Sequence, residues 1–405
     1  MKKIKIGITG AGGFAKCFIP LFKAHPNVTS VALAELLPER LREIAARFQI
    51  NDIYASHDAL CRSDVDAIAI MTQRHLHGPQ AVAALKHGKH VYSAVPAAST
   101  LEEIEELVRT VEATGLMYMM GETSFYYPAA LFCREKFREG EFGAFVYGEG
   151  EYLHDMSHGF YSAYQHSGGN EWRQYAGFPP MYYPTHSTSM LVSVTGASLT
   201  QVSCLGYMDK EDDGVFGEGE NLWDNPFSNQ TALFRTSDGG MFRVNEFRRI
   251  GHGVGNSVRA SMYGTKGSFE QQGNALFWTT LDRKSQDLND LLQCGKRKLP
   301  EKLKLTGGEQ EDFFSGVSEI HPVERLPKEF VGLPNGHYGS HQFLVDDFVR
   351  SVVQSKLAPN HVWAAARYTA PGIIAHESAK REGELLKIPD FGKPPANSEY
   401  ITYGP

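Results

Sequence analysis

Residues 4–15 read IKIGITGAGGFA, a short apolar strand that runs directly into glycines and the start of a helix. Gly10, Gly12 and Ala15 have the G-x-G-x-x-A spacing of a turn that binds a dinucleotide. Gly10 permits the tight turn, the missing side chain at Gly12 lets the backbone approach a pyrophosphate, and Ala15 lets the helix pack closely on the strand. The N–H groups at the helix start, at Gly13 and Phe14, favour phosphate. The stretch therefore predicts a cofactor-binding turn, with a purely structural glycine turn as the alternative.

A second predicted strand, VALAE at 31–35, ends in Glu35, about 20 residues past the glycines, where a ribose-binding carboxylate is expected. Such a carboxylate accepts hydrogen bonds from the ribose hydroxyls and repels a 2′-phosphate. Glu35 therefore predicts NAD rather than NADP as the cofactor. The alternative is an acid that only starts the next helix.

Composition excludes several classes of protein. The 405 residues suit two domains, and 42% hydrophobic residues are enough to build a core. The net charge of −7 and the lack of a long basic run argue against nucleic acid as a partner. No apolar run is long enough to predict a membrane span. Five scattered cysteines without a C-x-x-C pair predict a reducing compartment, and hence the cytoplasm.

The order of predicted elements divides the chain into two domains. Residues 1–124 alternate strands (4–9, 31–34, 67–71, 90–92 and 117–120) with helices, which predicts a doubly wound parallel sheet. Residues 125–405 read as an α+β domain with a mostly antiparallel sheet. Its helices are predicted at 128–139, 186–195, 344–353 and 361–382, and residues 282–340 read as a long loop.

Several longer stretches resemble the Gfo/Idh/MocA family of NAD(P)-dependent sugar oxidoreductases. They are ALAELLPERL around Glu35, DAIAIMTQRHLHGPQAVAALKHGKHVYSAVPAA at 66–98, YGTKGSFE at 263–270 and LVDDFVRSVV at 344–353. The resemblance implies an N-terminal Rossmann domain and a C-terminal domain with a large open sheet, which suggests a homo-oligomer (a dimer or a tetramer). It also implies that Thr72, His75 and Pro96 lie near the cofactor, with His77 more suited to a helix cap.

The departures from the family pattern are informative. Where the family carries Glu-Lys-Pro, this chain has Ala94-Val95-Pro96, so the lysine beside the nicotinamide is missing. In the family's Asp-x-x-x-His signature, the histidine matches His186 and the aspartate position holds Tyr182. These changes resemble a subset of NAD-dependent glycoside hydrolases that remove α-linked N-acetylgalactosamine and similar sugars.

That subset carries a Val-Pro pair, a Tyr-Pro-Thr-His run and a Tyr-x-His-Asp stretch, here at 95–96, 183–186 and 152–155. It also carries a glutamate after the sixth strand, here Glu122. The Ser-Thr-Ser-Met that follows His186 differs from the subset's Gly-Leu-Gly-Pro, which leaves the sugar open.

The catalytic candidates are His186, Tyr183, Glu122 and Tyr152. A histidine exchanges protons near neutral pH, so His186 is predicted to carry proton transfer. Tyr183 is predicted to donate to a substrate oxygen, with a packed aromatic as the alternative. Glu122 follows a strand of the parallel sheet at its carboxyl end, where ligands bind.

The candidates for binding the sugar are His154, Trp172, Arg173 and Arg248. Aromatic faces stack on sugar rings and arginines bond hydroxyls, whereas core packing and surface ion pairs explain the same residues equally well. The pairs His154/His158 and His337/His341 have no nearby third ligand, so no metal site is predicted.

Three functions fit the sequence. The first two are an NAD-dependent sugar or inositol dehydrogenase and a redox-neutral glycoside hydrolase that begins with the same hydride removal, with a slight preference for the second. The third is a non-catalytic NAD(H)-binding regulatory protein, which the missing lysine permits.

Overall fold

The computed structural model describes residues 2–252, 257–282, 284–298 and 313–403. The chain divides into two compact units. The first comprises Met1–Pro128, Leu291–Ala366 and Phe391–Pro405, and the second comprises Ala129–Asp290 and Arg367–Asp390. The sequence pattern instead predicts that the two later stretches of this first unit belong to the domain at 125–405.

The strands are β1 Ile4–Thr9, β2 Val28–Ala34, β3 Ile53–Tyr54, β4 Ala67–Ile70, β5 His90–Ser93, β6 Tyr118–Met120, β7 Phe145–Leu153, β8 Leu199–Met208, β9 Phe227–Thr236, β10 Met241–Phe247, β11 Val258–Gly264, β12 Gly267–Gln272, β13 Ala275–Thr280, β14 Ser285–Asp287, β15 Gly295–Lys298, β16 Phe313–Val317 and β17 Leu386–Lys387. The α-helices are α1 Ala15–Ala24, α2 Pro38–Phe48, α3 His57–Cys61, α4 His77–Lys86, α5 Leu101–Thr114, α6 Pro128–Arg138, α7 Tyr161–Gly168, α8 Trp172–Ala176, α9 Thr185–Thr195, α10 Asn289–Leu292, α11 Ser340–Gln354 and α12 Val362–Lys380.

The first unit is built on a six-stranded parallel sheet with the order β3-β2-β1-β4-β5-β6. This is the strand order of a Rossmann fold, so the predicted doubly wound sheet is confirmed. Local signals position its helices: the Thr100 hydroxyl accepts a hydrogen bond from the Glu103 N–H (3.1 Å) to cap α5, and Gly115 ends that helix with φ of 66°. The two-residue strand β3 was missed because it is too short to show a pattern.

Later parts of the chain belong to the first unit because a buried polar cluster holds them there. Arg325 pairs with Asp347 of α11 (2.7 Å) and donates to the Tyr126 hydroxyl (2.8 Å). The Tyr403 hydroxyl donates to the same Asp347 carboxylate (2.7 Å). Within the predicted loop at 282–340, the described residues form β14, α10 and the antiparallel pair β15–β16.

The second unit carries a nine-stranded sheet with the order β14-β13-β12-β11-β7-β10-β9-β8-β17. All neighbours are antiparallel except β7 and β10, which run parallel, so the predicted mostly antiparallel sheet is confirmed. Helix α9 packs against β7, β10 and β11. The short helices α7 and α8 were not predicted, since glycines at 159, 168, 169 and 177 interrupt any helical period.

No helix in the described ranges is both long enough and apolar enough to cross a membrane.

Candidate active site

The glycine turn has the geometry that a bound pyrophosphate needs. Gly10 has φ of 91°, and a Cβ there would lie 2.7 Å from the Met71 carbonyl oxygen, so only glycine fits. At Gly12 and Gly13, by contrast, an added Cβ would meet no described atom within 4 Å. Neither glycine is therefore needed for packing or for a left-handed backbone. Open space next to the start of α1 is what a dinucleotide-binding turn provides for phosphate.

The two residues after the glycines anchor helix α1. Ala15, its first residue, is fully buried. The Phe14 ring packs on Phe18 (centroids 4.9 Å apart) and on the edges of His337 and His341 (5.7 Å each). The Phe14 side chain is thus fixed by packing within the unit, which leaves its backbone N–H as the group suited to the cofactor.

Glu35 follows β2 and is tied directly to the turn. Its Oε2 accepts a hydrogen bond from the Ala11 N–H (3.0 Å), and its Oε1 accepts one from the Leu37 N–H (3.1 Å). The Arg40 guanidinium lies 3.7 Å from the same carboxylate. The acid is therefore held beside the glycines, as the sequence predicted, and it also stabilises the turn.

We expect Glu35→Ala to weaken NAD binding and to narrow the preference for NAD over NADP. The substitution removes the acceptor for the ribose hydroxyls and the charge that repels a 2′-phosphate, while the positive charge of Arg40 stays in place. Calorimetric titration with both cofactors measures the change. Glu39→Ala, which removes another acid in the first turn of α2, is the matched control. An unchanged NAD-to-NADP ratio in Glu35→Ala would contradict the ribose assignment.

His77 connects the loops that follow β4 and β5. Its Nδ1 lies 2.8 Å from the Pro96 carbonyl oxygen and its Nε2 lies 3.1 Å from that of Thr72. Burial lowers the pKa of His77 to about 4, so the ring is neutral at pH 7 and donates one hydrogen bond to one of these carbonyls. His77 therefore fixes two predicted cofactor loops to one another, rather than capping helix α4 through its side chain.

The other three residues predicted to lie near the cofactor, Thr72, His75 and Pro96, differ in their contacts and burial. The Thr72 hydroxyl donates to Gln80 (2.6 Å). His75 is half-buried, and its pKa is lowered by burial. Pro96 is preceded by a cis peptide bond, and Val95, in the place of the family's lysine, is buried.

Glu122 follows β6 at its carboxyl end, as predicted, and is fully buried in the first unit. Its Oε1 accepts hydrogen bonds from the N–H (2.9 Å) and the hydroxyl (2.7 Å) of Ser124. Because the carboxylate caps the short turn that begins at Thr123, Glu122 has a clear structural role in addition to the predicted catalytic one.

Three of the four predicted catalytic residues lie together in the second unit. The ring of His186, in the first turn of α9, lies nearly perpendicular to the ring of Tyr152 (centroids 5.0 Å apart, 85° between planes) and to that of Tyr183 (5.2 Å, 86°). The two tyrosine rings lie 5.9 Å apart. His186 is 4% exposed. A histidine held between two phenols, in a mostly buried cluster, is suited to moving protons to and from one substrate.

Sequence reasoning missed Glu246 of β10, the acid at the base of this cluster. It is fully buried, its Oε1 accepts from the Ser187 hydroxyl (2.6 Å), and its Oε2 pairs with Arg248 Nη2 (2.7 Å). Burial raises the pKa of Glu246 to about 7, although Arg248 and Ser187 oppose that shift. A signal existed: Phe242 and Val244 point inward, and strand alternation places Glu246 on the same buried face.

The four residues predicted to bind the sugar all lie in the second unit, and each of them contacts other side chains of that unit. Arg248 is buried, with its guanidinium 4.7 Å from the Tyr152 ring centre. The His154 ring stacks on Phe160 at 4.2 Å. Trp172 packs on a small apolar cluster of Met156, Ala176, Val215 and Phe216, and the Arg173 guanidinium stacks over it at 4.8 Å. Contact with a sugar stays a prediction for all four.

The neighbouring Arg249 has a different role from Arg248. It pairs with Asp209 and Asp213 and donates to the Tyr161 hydroxyl. It thereby fixes α7 to the loop between β8 and β9. Across the described ranges, no three histidine, cysteine or acidic side chains are grouped as they would be to hold a metal ion.

A Rossmann sheet whose first turn suits a pyrophosphate is the fold of a dinucleotide-binding unit, and in this chain it is followed by a large sheet that carries a histidine–tyrosine cluster. The comparisons agree. Residues 4–122 match the Gfo/Idh/MocA family model, described as "Oxidoreductase family, NAD-binding Rossmann fold". The resemblance to this family that the sequence shows is therefore confirmed over residues 4–122.

One curated relative matches nearly the whole chain, and another matches a shorter part of it at higher identity. A glycosyl hydrolase family 109 protein of Streptomyces filamentosus is 25% identical over 96% of this chain and 77% of its own length. An alpha-N-acetylgalactosaminidase of Bacteroides fragilis is 40% identical, over 31% of this chain and 30% of its own length.

Solved structures share the fold over nearly the whole chain. Levoglucosan dehydrogenase in complex with NADH and levoglucosan has a TM-score of 0.72 at 19% identity, covering 96% of this chain and 100% of that one. The scyllo-inositol dehydrogenase from Lactobacillus casei, with bound NAD(H) and scyllo-inositol, has a TM-score of 0.66 at 16% identity, with coverage of 96% and 100%.

Proposed function

We propose that this protein is an NAD-dependent enzyme that acts on a sugar or glycoside, starting with hydride removal at a ring hydroxyl carbon. We further propose that its reaction is glycoside cleavage without net oxidation. The observation that carries the proposal is the packing of His186 between Tyr152 and Tyr183. The names of the relatives, a glycosyl hydrolase family 109 protein and an alpha-N-acetylgalactosaminidase, support a glycoside as the substrate.

The residues that would hold NAD fit that cofactor. The backbone of Gly12 and Gly13 would face the pyrophosphate, in the open space next to α1. Glu35 would accept the ribose hydroxyls, and His77 keeps the loops at Thr72 and Pro96 together. Bound NAD would accept a hydride from a ring carbon of the sugar and would return that hydride at the end of the cycle.

The chain's own residues would move the protons. A ketone at ring carbon 3 acidifies the proton on carbon 2, because the carbanion left behind is delocalised as an enolate. His186, or a tyrosinate next to it, would remove that proton. The bond from the anomeric carbon to its substituent then breaks by elimination, and the leaving oxygen takes up a proton, for which Tyr183 is the candidate donor. Water adds to the resulting double bond, so proton and hydroxyl are restored.

The sequence resemblance favours cleavage over simple dehydrogenation. Val95 stands where a dehydrogenase of this family keeps a lysine, and the Val-Pro pair at 95–96 and the Tyr-Pro-Thr-His run at 183–186 resemble the glycoside hydrolase subset. Elimination would break the glycosidic bond without an oxocarbenium ion and without the carboxylate pair of an ordinary glycosidase. The dehydrogenase and the regulatory protein remain the two alternatives.

A panel of nitrophenyl glycosides, including α-N-acetylgalactosaminide, tests the proposal. The purified protein with NAD is expected to release nitrophenol from at least one member without accumulating NADH at 340 nm. NADH formed in proportion to substrate, with the glycosidic bond intact, would establish a dehydrogenase. Tight NAD binding with no turnover of glycosides, free sugars or inositols would favour the regulatory protein.

Assembly and location stay proposals. We propose a homo-oligomer formed through the open face of the nine-stranded sheet, where Leu205, Tyr207, Leu233 and Met241 are exposed on neighbouring strands. Sedimentation velocity would measure its size, and a monomer at micromolar concentration would contradict it. The cytoplasm remains the location predicted from the cysteine spacing.

A further inference from the structure

We propose that Glu246 is a positioning residue for proton transfer at His186. Its carboxylate fixes, through Ser187 and Arg248, the two elements that carry His186 and Tyr152. The inference rests on the proposed role of His186.

The first connection runs from Glu246 to helix α9. The Ser187 hydroxyl donates to Glu246 Oε1 (2.6 Å), and Ser187 directly follows His186 in the first turn of that helix. Strand β7 packs closely on this turn of α9, since a Cβ added at Gly150 would lie 2.6 Å from the Ser187 carbonyl oxygen. The helix backbone therefore has little space to shift toward the sheet. The position of His186 therefore depends on a hydrogen bond made by its neighbour.

The second connection runs from Glu246 to strand β7. Arg248 Nη2 pairs with Glu246 Oε2 (2.7 Å), while its Nη1 donates to the carbonyl oxygens of Tyr152 (3.2 Å) and Phe247 (3.1 Å). The guanidinium also lies against the Tyr152 ring, at 4.7 Å. Since Tyr152 contacts His186 with its ring, the two connections end on residues that touch one another. A substitution that removes the carboxylate of Glu246 would therefore change the distance between Tyr152 and His186.

The charge of Glu246 changes near neutral pH. Burial raises the pKa of its carboxyl to about 7, while Arg248, Ser187 and His186 favour the ionised form. When the carboxyl is ionised, it accepts from both Ser187 and Arg248. When it is protonated, its charge-assisted bond to Arg248 is weakened, and Arg248 holds Tyr152 less firmly.

The same shift gives a stability effect that needs no substrate. The pKa of Glu246 rises from about 4.5 in a free side chain to about 7 in the fold, so the folded form binds the proton more tightly. Stability contributed by this group is therefore complete at low pH and is lost as pH rises through about 4.5 to 7. In Glu246→Gln this part of the pH dependence is expected to vanish, which thermal unfolding between pH 4.5 and 8 would measure.

The test compares Glu246→Gln with Glu151→Gln. Glu151 lies next to Tyr152 on β7 and pairs with Arg243 and Arg259, so its substitution also breaks ion pairs without reaching Ser187 or Arg248. Glu246→Gln is expected to lower kcat by about 10–100-fold, the range seen when an outer-shell partner is lost at metal sites. We expect KM to stay within about threefold of the parent value. We also expect the change in kcat near pH 7 to be absent from the pH profile of this variant. Glu151→Gln is expected to change none of these.

A structural readout separates this proposal from the proposed function. In a spectrum of ¹³C-labelled histidine rings, the His186 signal, assigned by its loss in His186→Asn, reports its position between the two tyrosine rings. It is expected to shift in Glu246→Gln and to stay unchanged in Glu151→Gln. If the His186 signal shifted in Glu246→Gln but the parent protein turned over no substrate, Glu246 would still position His186, and the proposed enzymatic function would be wrong. An unshifted His186 signal in a folded Glu246→Gln, or a change in KM alone, would overturn the positioning role.

Discussion

His186→Asn is expected to lower turnover by about 10²–10⁴-fold, the usual contribution of a general acid–base group. Asparagine keeps a polar side chain but cannot exchange a proton near neutral pH. His186 is 4% exposed and its ring packs on those of Tyr152 and Tyr183, so the smaller amide also removes some packing, and a control variant must separate that effect from the loss of the proton carrier. Steady-state kinetics on the active glycoside measure the effect, and calorimetry with NAD shows that the cofactor domain is unaffected.

His376→Asn is the matched control. His376 is another buried histidine of the second unit, packed on Tyr182 and in contact with Gln230. Its substitution makes a similar change in volume away from the His186 ring. If both variants lost turnover equally, the effect would come from packing. Near-parental turnover in His186→Asn would move the proton-transfer role to Glu122 or to a tyrosine.

Gly12→Val is expected to abolish NAD binding, with a loss of at least about 100-fold in affinity, or roughly 2.7 kcal/mol. A Cβ added at Gly12 would meet no described atom of the protein within 4 Å, so we expect the valine to be accommodated by the fold and to fill the space needed by the pyrophosphate. Thermal unfolding without NAD should therefore match the parent. Titration with NAD, followed by calorimetry or by nucleotide fluorescence, measures the loss.

Gly295→Val is the control for the effect of valine itself. Gly295 begins β15 in the same unit, and an added Cβ there also meets no described atom within 4 Å. This variant should bind NAD like the parent. If Gly12→Val bound NAD equally well, the assignment of the cofactor to this turn would be wrong.

The first unit was largely predictable because its signals are local. The strand, glycines and helix at 4–24 lie within a few turns of chain, and Thr100 and Gly115 mark the ends of α5 in the sequence itself. The return of residues 291–366 to this unit was not predictable. It depends on contacts of Arg325 with Asp347 and with Tyr126, which is nearly 200 residues away in the sequence. The spacing of apolar residues within one helix or strand does not predict such a contact.

The site was predictable only in part for the same reason. His186 and Tyr183 stand next to one another in a recognisable run, and Tyr152 lies in a second one. Glu246 could have been suspected from alternation in β10, which places an acid on a buried face behind Phe242 and Val244. Its partner Ser187, however, is 59 residues away and has no distinctive sequence context. Only the packing of α9 on the sheet brings the two together.

The most direct test of redox-neutral cleavage is an isotope measurement. With an active glycoside and catalytic NAD in D₂O, proton removal from carbon 2 and its return from solvent must leave deuterium at carbon 2 of the released sugar. We predict that label in every product molecule, detected by NMR or mass spectrometry, together with no net NADH. Cleavage that leaves carbon 2 unlabelled, or NADH that accumulates while the glycosidic bond stays intact, would contradict the elimination mechanism.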